Sequence, residues 1–136
     1  ENELLRKLAQ ECGVGDRLHF CGYVPDTRQI YLAADVLLMP SLFEGLPMTL
    51  LEAMAMRVPV VASALDGIAE VVEDGRDGFL VPTGDLPMFC ERICQVIEDP
   101  SLARDIGESA SYKISNRFSS ERMCREVELI YDRFSK

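Results

Sequence analysis

Apolar residues recur at helical spacing at the start of the chain and form short continuous runs further along it. Leu4, Leu5 and Leu8 share one face of a helix predicted over residues 3–11, which ends before Gly13. Short continuous apolar runs are typical of strands that are covered on both faces. The pattern therefore predicts buried strands separated by helices. The strand candidates read RLHFCGYVP (its apolar part Leu18–Cys21), DVLLMP, PVVAS and GFLVP.

Helical periodicity occupies the segments between and after these runs. A short helix in TRQIYLAA, with Thr27 as its cap, precedes DVLLMP. The alternation of strands and helices predicts an α/β fold: a partial, Rossmann-like doubly wound parallel sheet of about four strands followed by C-terminal helices. No repeat or linker divides residues 1–136, so a single domain is expected. The other predicted helices cover Leu46–Met56, Ile68–Val72, Leu86–Ile97, Ser101–Ile114 and Ser119–Phe134.

Composition narrows the function classes. The chain has 136 residues, of which 48% are apolar and 27% charged, as is ordinary for one globular domain. The formal net charge is −9 and no cluster of Lys or Arg is present, so we expect no nucleic acid as a partner. The first residues lack the pattern of a secretory signal, which predicts a cytoplasmic protein.

The cysteines and the single histidine point to no metal centre. Five cysteines, spread mostly through periodic segments, argue against a disulfide framework. Cys90 and Cys94 lie one helical turn apart, but no CxxC motif or further Cys/His pair accompanies them. We predict ordinary packed thiols and no metal site. His19 lies within an apolar run and is predicted to be a strand residue without a catalytic role.

Two acidic residues stand out in PSLFEGLPMTLLEAMAMRVPVV, from Pro40 to Val61. Glu44 and Glu52 interrupt a run that is otherwise typical of a core. A carboxylate buried among apolar side chains costs several kcal/mol unless a partner stabilises it. The two acids therefore indicate a bound group or a solvent-exposed position.

The segment between the acids favours an anionic ligand. Ligands of open parallel sheets bind where the chain leaves a strand and enters a helix. Pro47 fits the first position of the predicted helix, and the amides of Met48 and Thr49 are then free to bind a phosphate. Gly45 allows a sharp turn or a close approach to a ligand.

Carboxylates repel a phosphate but accept hydrogen bonds from sugar hydroxyls, so the combination predicts a sugar nucleotide. From the residues alone an alternative stays open. Glu44 is then a solvated loop acid, and Glu52 is a polar residue on a narrow exposed stripe of the helix.

These residues resemble a known family. The stretch from Phe20 to Asp85 resembles the C-terminal, donor-binding half of GT-B fold glycosyltransferases of family 4, a retaining group, and the similarity continues through the later helices. The pair of acids with seven residues between them is its most specific element. Weaker elements are the G-x-V-P turn at Gly22–Pro25, PVVAS, and two Asp-Gly motifs that start at Asp66 and Asp74.

The resemblance implies roles by position. Glu44 would be the catalytic acid near the donor sugar, and Glu52 would bind the ribose. Amides after the first acid would hold the diphosphate, and the turn at Tyr23 and Val24 would contact the base. It implies no metal and no cofactor besides a UDP or GDP type sugar donor. The implied donor-binding residues are Tyr23, Val24, Gly45, Leu46, Pro47, Met48, Thr49 and Glu52.

Two departures from the family pattern matter. Asp66 stands where the family often has a second glycine. Family members also carry an earlier loop with an Arg and a Lys that clamp the diphosphate, and we expect this chain to be a fragment without that loop and without the N-terminal domain.

If the full sheet has strand order 3-2-1-4-5-6, the first two strands belong between Leu18–Cys21 and Asp35–Met39. Exposed strand edges would then favour self-association.

The resemblance implies a retaining glycosyltransferase that moves a sugar from a nucleotide-diphosphate donor to an acceptor hydroxyl, in polysaccharide, lipopolysaccharide or glycolipid synthesis. Its partners would be the donor, a sugar or lipid-linked acceptor and the N-terminal domain, and the full-length protein could lie at the inner face of the membrane. The fragment alone is expected to be inactive. One alternative is a non-catalytic nucleotide-sugar-binding module or inactive remnant, and another is a sugar-nucleotide epimerase of related architecture. A phosphoacceptor receiver domain is disfavoured because no suitable Lys follows a later strand.

Overall fold

The computed structural model describes residues 2–134, without the side chain of Asn2. Helices and strands alternate through the first two thirds of the chain, and three long helices follow. The elements are α1 (Asn2–Glu11), a 3-10 turn (Gly15–Arg17), α2 (Arg28–Ala33), β1 (Leu37–Met39), α3 (Met48–Ala55), β2 (Val60–Ser63), α4 (Asp66–Ala69), β3 (Phe79–Val81), α5 (Leu86–Glu98), α6 (Pro100–Arg117) and α7 (Ser120–Phe134).

The three strands form one parallel sheet in the order β1-β2-β3. Leu37 pairs with Val60, and Val61 pairs with Phe79. Every residue of the central strand β2 is buried, which explains the continuous apolar run of PVVAS. The predicted α/β class with a parallel sheet is confirmed.

The strand predicted at Leu18–Cys21 is wrong. Within residues 2–134, this segment contains no strand, and the sheet has three strands where about four were expected. Leu18 is exposed, as are His19 and Cys21. A strand forms only where a neighbour pairs with its backbone, and an apolar run supplies no pairing partner of its own.

The sheet separates two hydrophobic clusters. Val60 and Ala62 pack on one face with residues of α3, α4 and α6. Val61, between them in sequence, packs on the opposite face with Phe89 and Val96 of α5. This alternation follows from the two-residue period of a strand, and it covers both faces of the sheet as a doubly wound fold requires.

A tight turn joins α3 to β2. The amide of Val58 donates to the carbonyl of Ala53 at 2.9 Å, and that of Arg57 donates to Met54 at 3.1 Å, which together form a Schellman motif. Arg57 occupies the position that usually holds glycine and has a φ of 62°. Gly107 of α6 packs directly on this turn, because a Cβ at residue 107 would lie 2.3 Å from the Arg57 carbonyl oxygen.

A buried ion pair ties α6 to the loop before β3. Asp77 is 1% exposed, and its carboxylate pairs with the ammonium group of Lys113. Lys113 also donates to the carbonyl of Val71 at 2.9 Å, and Asp77 accepts from the amide of Glu73 at 2.7 Å. The charges are therefore compensated, and Lys113 serves the packing of α6.

Several surface features differ from expectation. All five cysteines are free and exposed, so the prediction of packed thiols was wrong. The large apolar side chains of α7, including Met123 and Phe134, are exposed along its length. Ser119 accepts a hydrogen bond from the Arg122 amide through its hydroxyl and so caps the start of α7. None of the described helices combines the length and apolarity needed to cross a membrane.

Candidate functional site

The loops after β1 and β2 meet at the carboxyl edge of the sheet. A Cβ added to Gly67, at the start of α4, would lie 2.1 Å from the carbonyl oxygen of Gly45. Only glycine at position 67 permits this approach, since real Cβ contacts do not fall below 3.0 Å. The contact fixes the Glu44–Gly45 segment against the first turn of α4.

An open cleft of about 530 Å³ lies at this junction. Its two acidic lining residues are Glu44, from the loop after β1, and Asp66, from the start of α4. Ser41 donates a hydrogen bond from its hydroxyl to Oε1 of Glu44 at 3.1 Å. Phe43 is 91% exposed at the cleft, which leaves an aromatic face available to a ligand. The cleft is lined by Leu42, Phe43, Glu44, Gly45, Leu65 and Asp66.

The N-terminus of α3 begins next to the cleft. Pro47 is the residue before the first helical position, with φ −75° and ψ 128°, so the prediction that it is the first helical residue started the helix one residue too early. No described side chain caps this end. The amides of Met48 and Thr49 therefore face out of the helix without intrahelical acceptors, beside the positive end of its dipole.

Glu52 is held by the neighbouring helix α2. Its Oε2 accepts a hydrogen bond of 2.9 Å from the Tyr31 hydroxyl and one of 3.3 Å from the Thr27 hydroxyl. Thr27 was predicted to cap α2, but its side chain makes no capping hydrogen bond and is directed to Glu52 instead. Burial raises the pKa of Tyr31, and the hydrogen bond to the Glu52 carboxylate adds to the effect.

The predicted base-binding turn is open to solvent. Tyr23 is 91% exposed, and Val24 is partly buried. Leu46 and Met48 are also largely exposed around the start of α3. The structure thus brings Glu44 and Gly45 into the cleft and places Glu52 one turn into α3, and the ligand roles of all these residues stay predictions.

The described residues that line the cleft include no Arg or Lys. Arg28, at the start of α2, forms an exposed ion pair with Asp26, with Nη2 and Oδ2 at 2.6 Å. Hydrogen bonding to Arg28 lowers the pKa of Asp26 to about 2. Lys113 pairs with Asp77 as described above. No group of three or more His, Cys, Asp or Glu side chains in the described chain could hold a metal ion.

Contributors to the site that were missed from the sequence include Ser41, which donates to Glu44, and three further residues. Thr27 and Tyr31 lie one turn apart on α2 and so reach Glu52 together, and this spacing was a usable signal. Phe43 precedes Glu44, and its exposure depends on how the loop turns. No local pattern predicts that exposure.

Curated relatives share this region. The chain is 35% identical over 127 residues to the putative glycosyltransferase EpsD of Bacillus subtilis, with 93% of this chain and 33% of the relative covered. It is 36% identical over 121 residues to the lipopolysaccharide core biosynthesis glycosyltransferase LpsE of Rhizobium meliloti, with 89% of this chain and 36% of the relative covered. The chain thus spans about a third of the length of these relatives.

Solved structures agree on the fold. The sucrose-phosphate synthase of Thermosynechococcus elongatus superimposes with a TM-score of 0.90 at 31% identity, with 96% of this chain and 33% of that chain covered. Anabaena HepE, solved in complex with UDP, gives a TM-score of 0.92 at 27% identity, with 96% of this chain and 36% of that chain covered. The family model described as glycosyl transferases group 1 matches residues 1–99. With most of the chain matched and the fold in agreement, this protein belongs to the glycosyl transferases group 1 family.

Proposed function

We propose that the chain forms part of the donor site of a retaining glycosyltransferase, which transfers a sugar from a nucleotide-diphosphate donor to an acceptor hydroxyl. One observation carries the proposal. Glu44 and Glu52 lie before and one turn after the uncapped start of α3, at the carboxyl edge of a parallel sheet. Family membership and relatives in polysaccharide and lipopolysaccharide synthesis support it.

The positions of these groups suggest which part of the donor each of them binds. The diphosphate fits the outward amides of Met48 and Thr49, because a helix N-terminus favours anions. The family resemblance adds the amide of Leu46. Glu52 accepts a ribose hydroxyl, and Tyr31 keeps its carboxylate oriented for that bond. Glu44 accepts a hydroxyl of the donor sugar. UDP bound by Anabaena HepE supports a nucleoside diphosphate as ligand, of the UDP or GDP type.

Catalysis in this proposal rests on the leaving group. The bond between the anomeric carbon and the diphosphate oxygen breaks, and its electron pair moves to the diphosphate. The acceptor hydroxyl oxygen bonds to the anomeric carbon on the same face, and its proton passes to the departing diphosphate. Amides already aimed at that position stabilise the developing charge without reorganising during the reaction. Holding donor and acceptor in one geometry lowers the entropic part of the barrier. The family resemblance implies that cations from the rest of the protein complete this stabilisation.

The complete protein has further proposed partners. The acceptor is a sugar or a lipid-linked sugar, bound with the help of an N-terminal domain. The protein is cytoplasmic, and peripheral association with the inner face of the membrane would bring it to a lipid-linked acceptor. Because β1 is the edge of the described sheet, with Leu38 half exposed, the chain taken alone is expected to self-associate there.

Calorimetry with UDP and GDP tests the donor site on the complete protein. Glu52→Gln is expected to weaken nucleoside diphosphate binding by about tenfold, because a hydrogen bond to a charged acceptor, worth roughly 1.5–3 kcal/mol, is replaced by a neutral one, worth roughly 0.5–1.5 kcal/mol. Glu44→Gln should leave that binding nearly intact and lower the transfer rate from the nucleotide sugar. Glu98→Gln, an exposed acid at the end of α5, serves as the matched control.

The outcomes separate the candidate functions. Failure of the wild-type protein to bind either nucleotide, or an unchanged transfer rate in Glu44→Gln, would refute the site assignment. Binding without any transfer would favour the alternative of a non-catalytic nucleotide-sugar-binding module.

A further inference from the structure

Asp66 is the one ionisable residue among the described cleft residues for which neither the family resemblance nor the proposed donor contacts provide a role. It is exposed, it is the first residue of α4, and it lines the same cleft as Glu44. An acid in the first turn of a helix stabilises the helix dipole, but α4 has only four residues, so little dipole is available to it. The local helix alone gives a weak reason for a carboxylate at this position.

The packing of the two loops keeps Asp66 close to Glu44. Gly67 follows Asp66 directly and Gly45 follows Glu44 directly, and these two glycines are in backbone contact. Each acid therefore directly precedes one of the two glycines in contact, and the two acids reach the cleft from different loops. The Glu44 carboxylate is oriented by Ser41 through Oε1. No Arg or Lys among the described lining residues offsets the two negative charges.

We infer that Asp66 is a specificity-determining residue, which together with Glu44 favours neutral donor sugars over sugars that carry a carboxylate. This inference rests on the proposed function, because it assigns the sugar end of the same donor site. Ionised carboxylates are acceptors only, so the hydroxyls of a neutral hexose satisfy both of them. The carboxylate of a uronic acid bound there would lie against two like charges, with no Arg or Lys among the described lining residues to offset them.

The size of the effect follows from Coulomb's law. A charge about 6 Å from Asp66, at an effective dielectric constant of ~40–80, changes binding roughly three- to tenfold. Glu44 contributes a repulsion of the same order. The wild-type protein should therefore prefer a neutral donor to the matched uronate by about tenfold or more, and removal of the Asp66 charge should reduce that preference three- to tenfold.

The test uses donors that differ only at C6, with calorimetry on the complete protein. UDP and GDP alone identify the base first. The matched pair is then UDP-glucose with UDP-glucuronate, or GDP-mannose with GDP-mannuronate. Asp66→Asn and Asp66→Ser remove the charge and keep residues that are favourable at a helix start. Glu121→Gln, an exposed acid in the first turn of α7 and far from the cleft in sequence, is the control.

Support consists of a reduced preference in both Asp66 variants, unchanged affinity for the nucleoside diphosphate alone, and an unchanged preference in Glu121→Gln. Equal binding of uronate and neutral donor by the wild type would overturn the inference, as would a preference that survives both substitutions. Those two results leave the donor site itself intact. Failure of the wild type to bind UDP or GDP would instead refute the proposed function, and the role of Asp66 with it.

Discussion

The contact between Gly67 and Gly45 allows a test in which two physical effects have opposite signs. Gly67 lies within α4 and has no positive φ, so helix propensity alone predicts that Gly67→Ala stabilises the protein by up to ~1 kcal/mol. Packing predicts the reverse. The added Cβ would lie 2.1 Å from the Gly45 carbonyl oxygen and 2.5 Å from its carbonyl carbon.

Backbone atoms cannot rotate away as a flexible side chain can, so the loop and α4 must separate until the shortest contact exceeds 3.0 Å. Inserting a group into a packed site typically costs ~1–3 kcal/mol, and here the whole loop must move. After the gain from propensity, we expect a net loss of about 1–2 kcal/mol in the free energy of unfolding. For a domain of this length, that corresponds to a melting temperature roughly 4–8 °C lower.

Thermal unfolding followed by far-UV circular dichroism measures this loss, and urea titration measures it independently. Gly45→Ala is the matched control, because a Cβ at residue 45 would meet nothing within 4 Å. Its melting temperature should equal the wild-type value or exceed it slightly. A Gly67→Ala protein as stable as the wild type, or more stable, would refute the inference that the two backbones are in contact.

Further predictions concern the buried ion pair, the strained turn and the buried tyrosine. Lys113→Met leaves the carboxylate of Asp77 buried without its cation, and urea unfolding should show a loss of about 3–5 kcal/mol. Arg57→Gly removes a Cβ at a φ of 62°, and the same titration should show a gain of ~0.5–1 kcal/mol. Burial and the Glu52 hydrogen bond raise the pKa of Tyr31, so the unfolded chain releases this proton first. Wild-type stability should fall as the pH rises above about 10, and Tyr31→Phe should lack that part of the fall.

Each of these has a control in the same chain. Lys7→Met removes an exposed ion pair with Glu11, one helical turn away, and should change stability by less than ~0.5 kcal/mol. An equally small loss in Lys113→Met would contradict the inference that its pair with Asp77 is buried. Arg57→Ala keeps the Cβ and should give no gain. Tyr112→Phe, at an exposed tyrosine, should retain the wild-type pH dependence. The same pH dependence in Tyr31→Phe would contradict the assignment.

Local chemistry explains which elements were predictable. The long helices begin and end close to the predicted positions, because caps and periodicity act within a few residues. Asp99, for example, accepts from the amides of Ser101 and Leu102 and starts α6. Buried parallel strands such as β2 are recognisable because both of their faces must be apolar. The strand predicted at Leu18–Cys21 failed because strand formation depends on a partner at a distance in sequence.

In the candidate site, too, some features follow from local sequence and others depend on contacts between distant residues. Sequence spacing was enough to single out Glu44, Glu52 and the free backbone amides at the start of α3, since one loop and one helix carry all of them. The resemblance supplied their implied roles.

Tertiary structure alone brought Tyr31 of α2 to Glu52 of α3, 21 residues away, and set Asp66 beside Glu44 through the contact of two glycines. Such contacts depend on how separate helices and loops pack against one sheet. Periodicity describes only which face of an element is buried, so the neighbours of that face emerge when the sheet and its helices assemble.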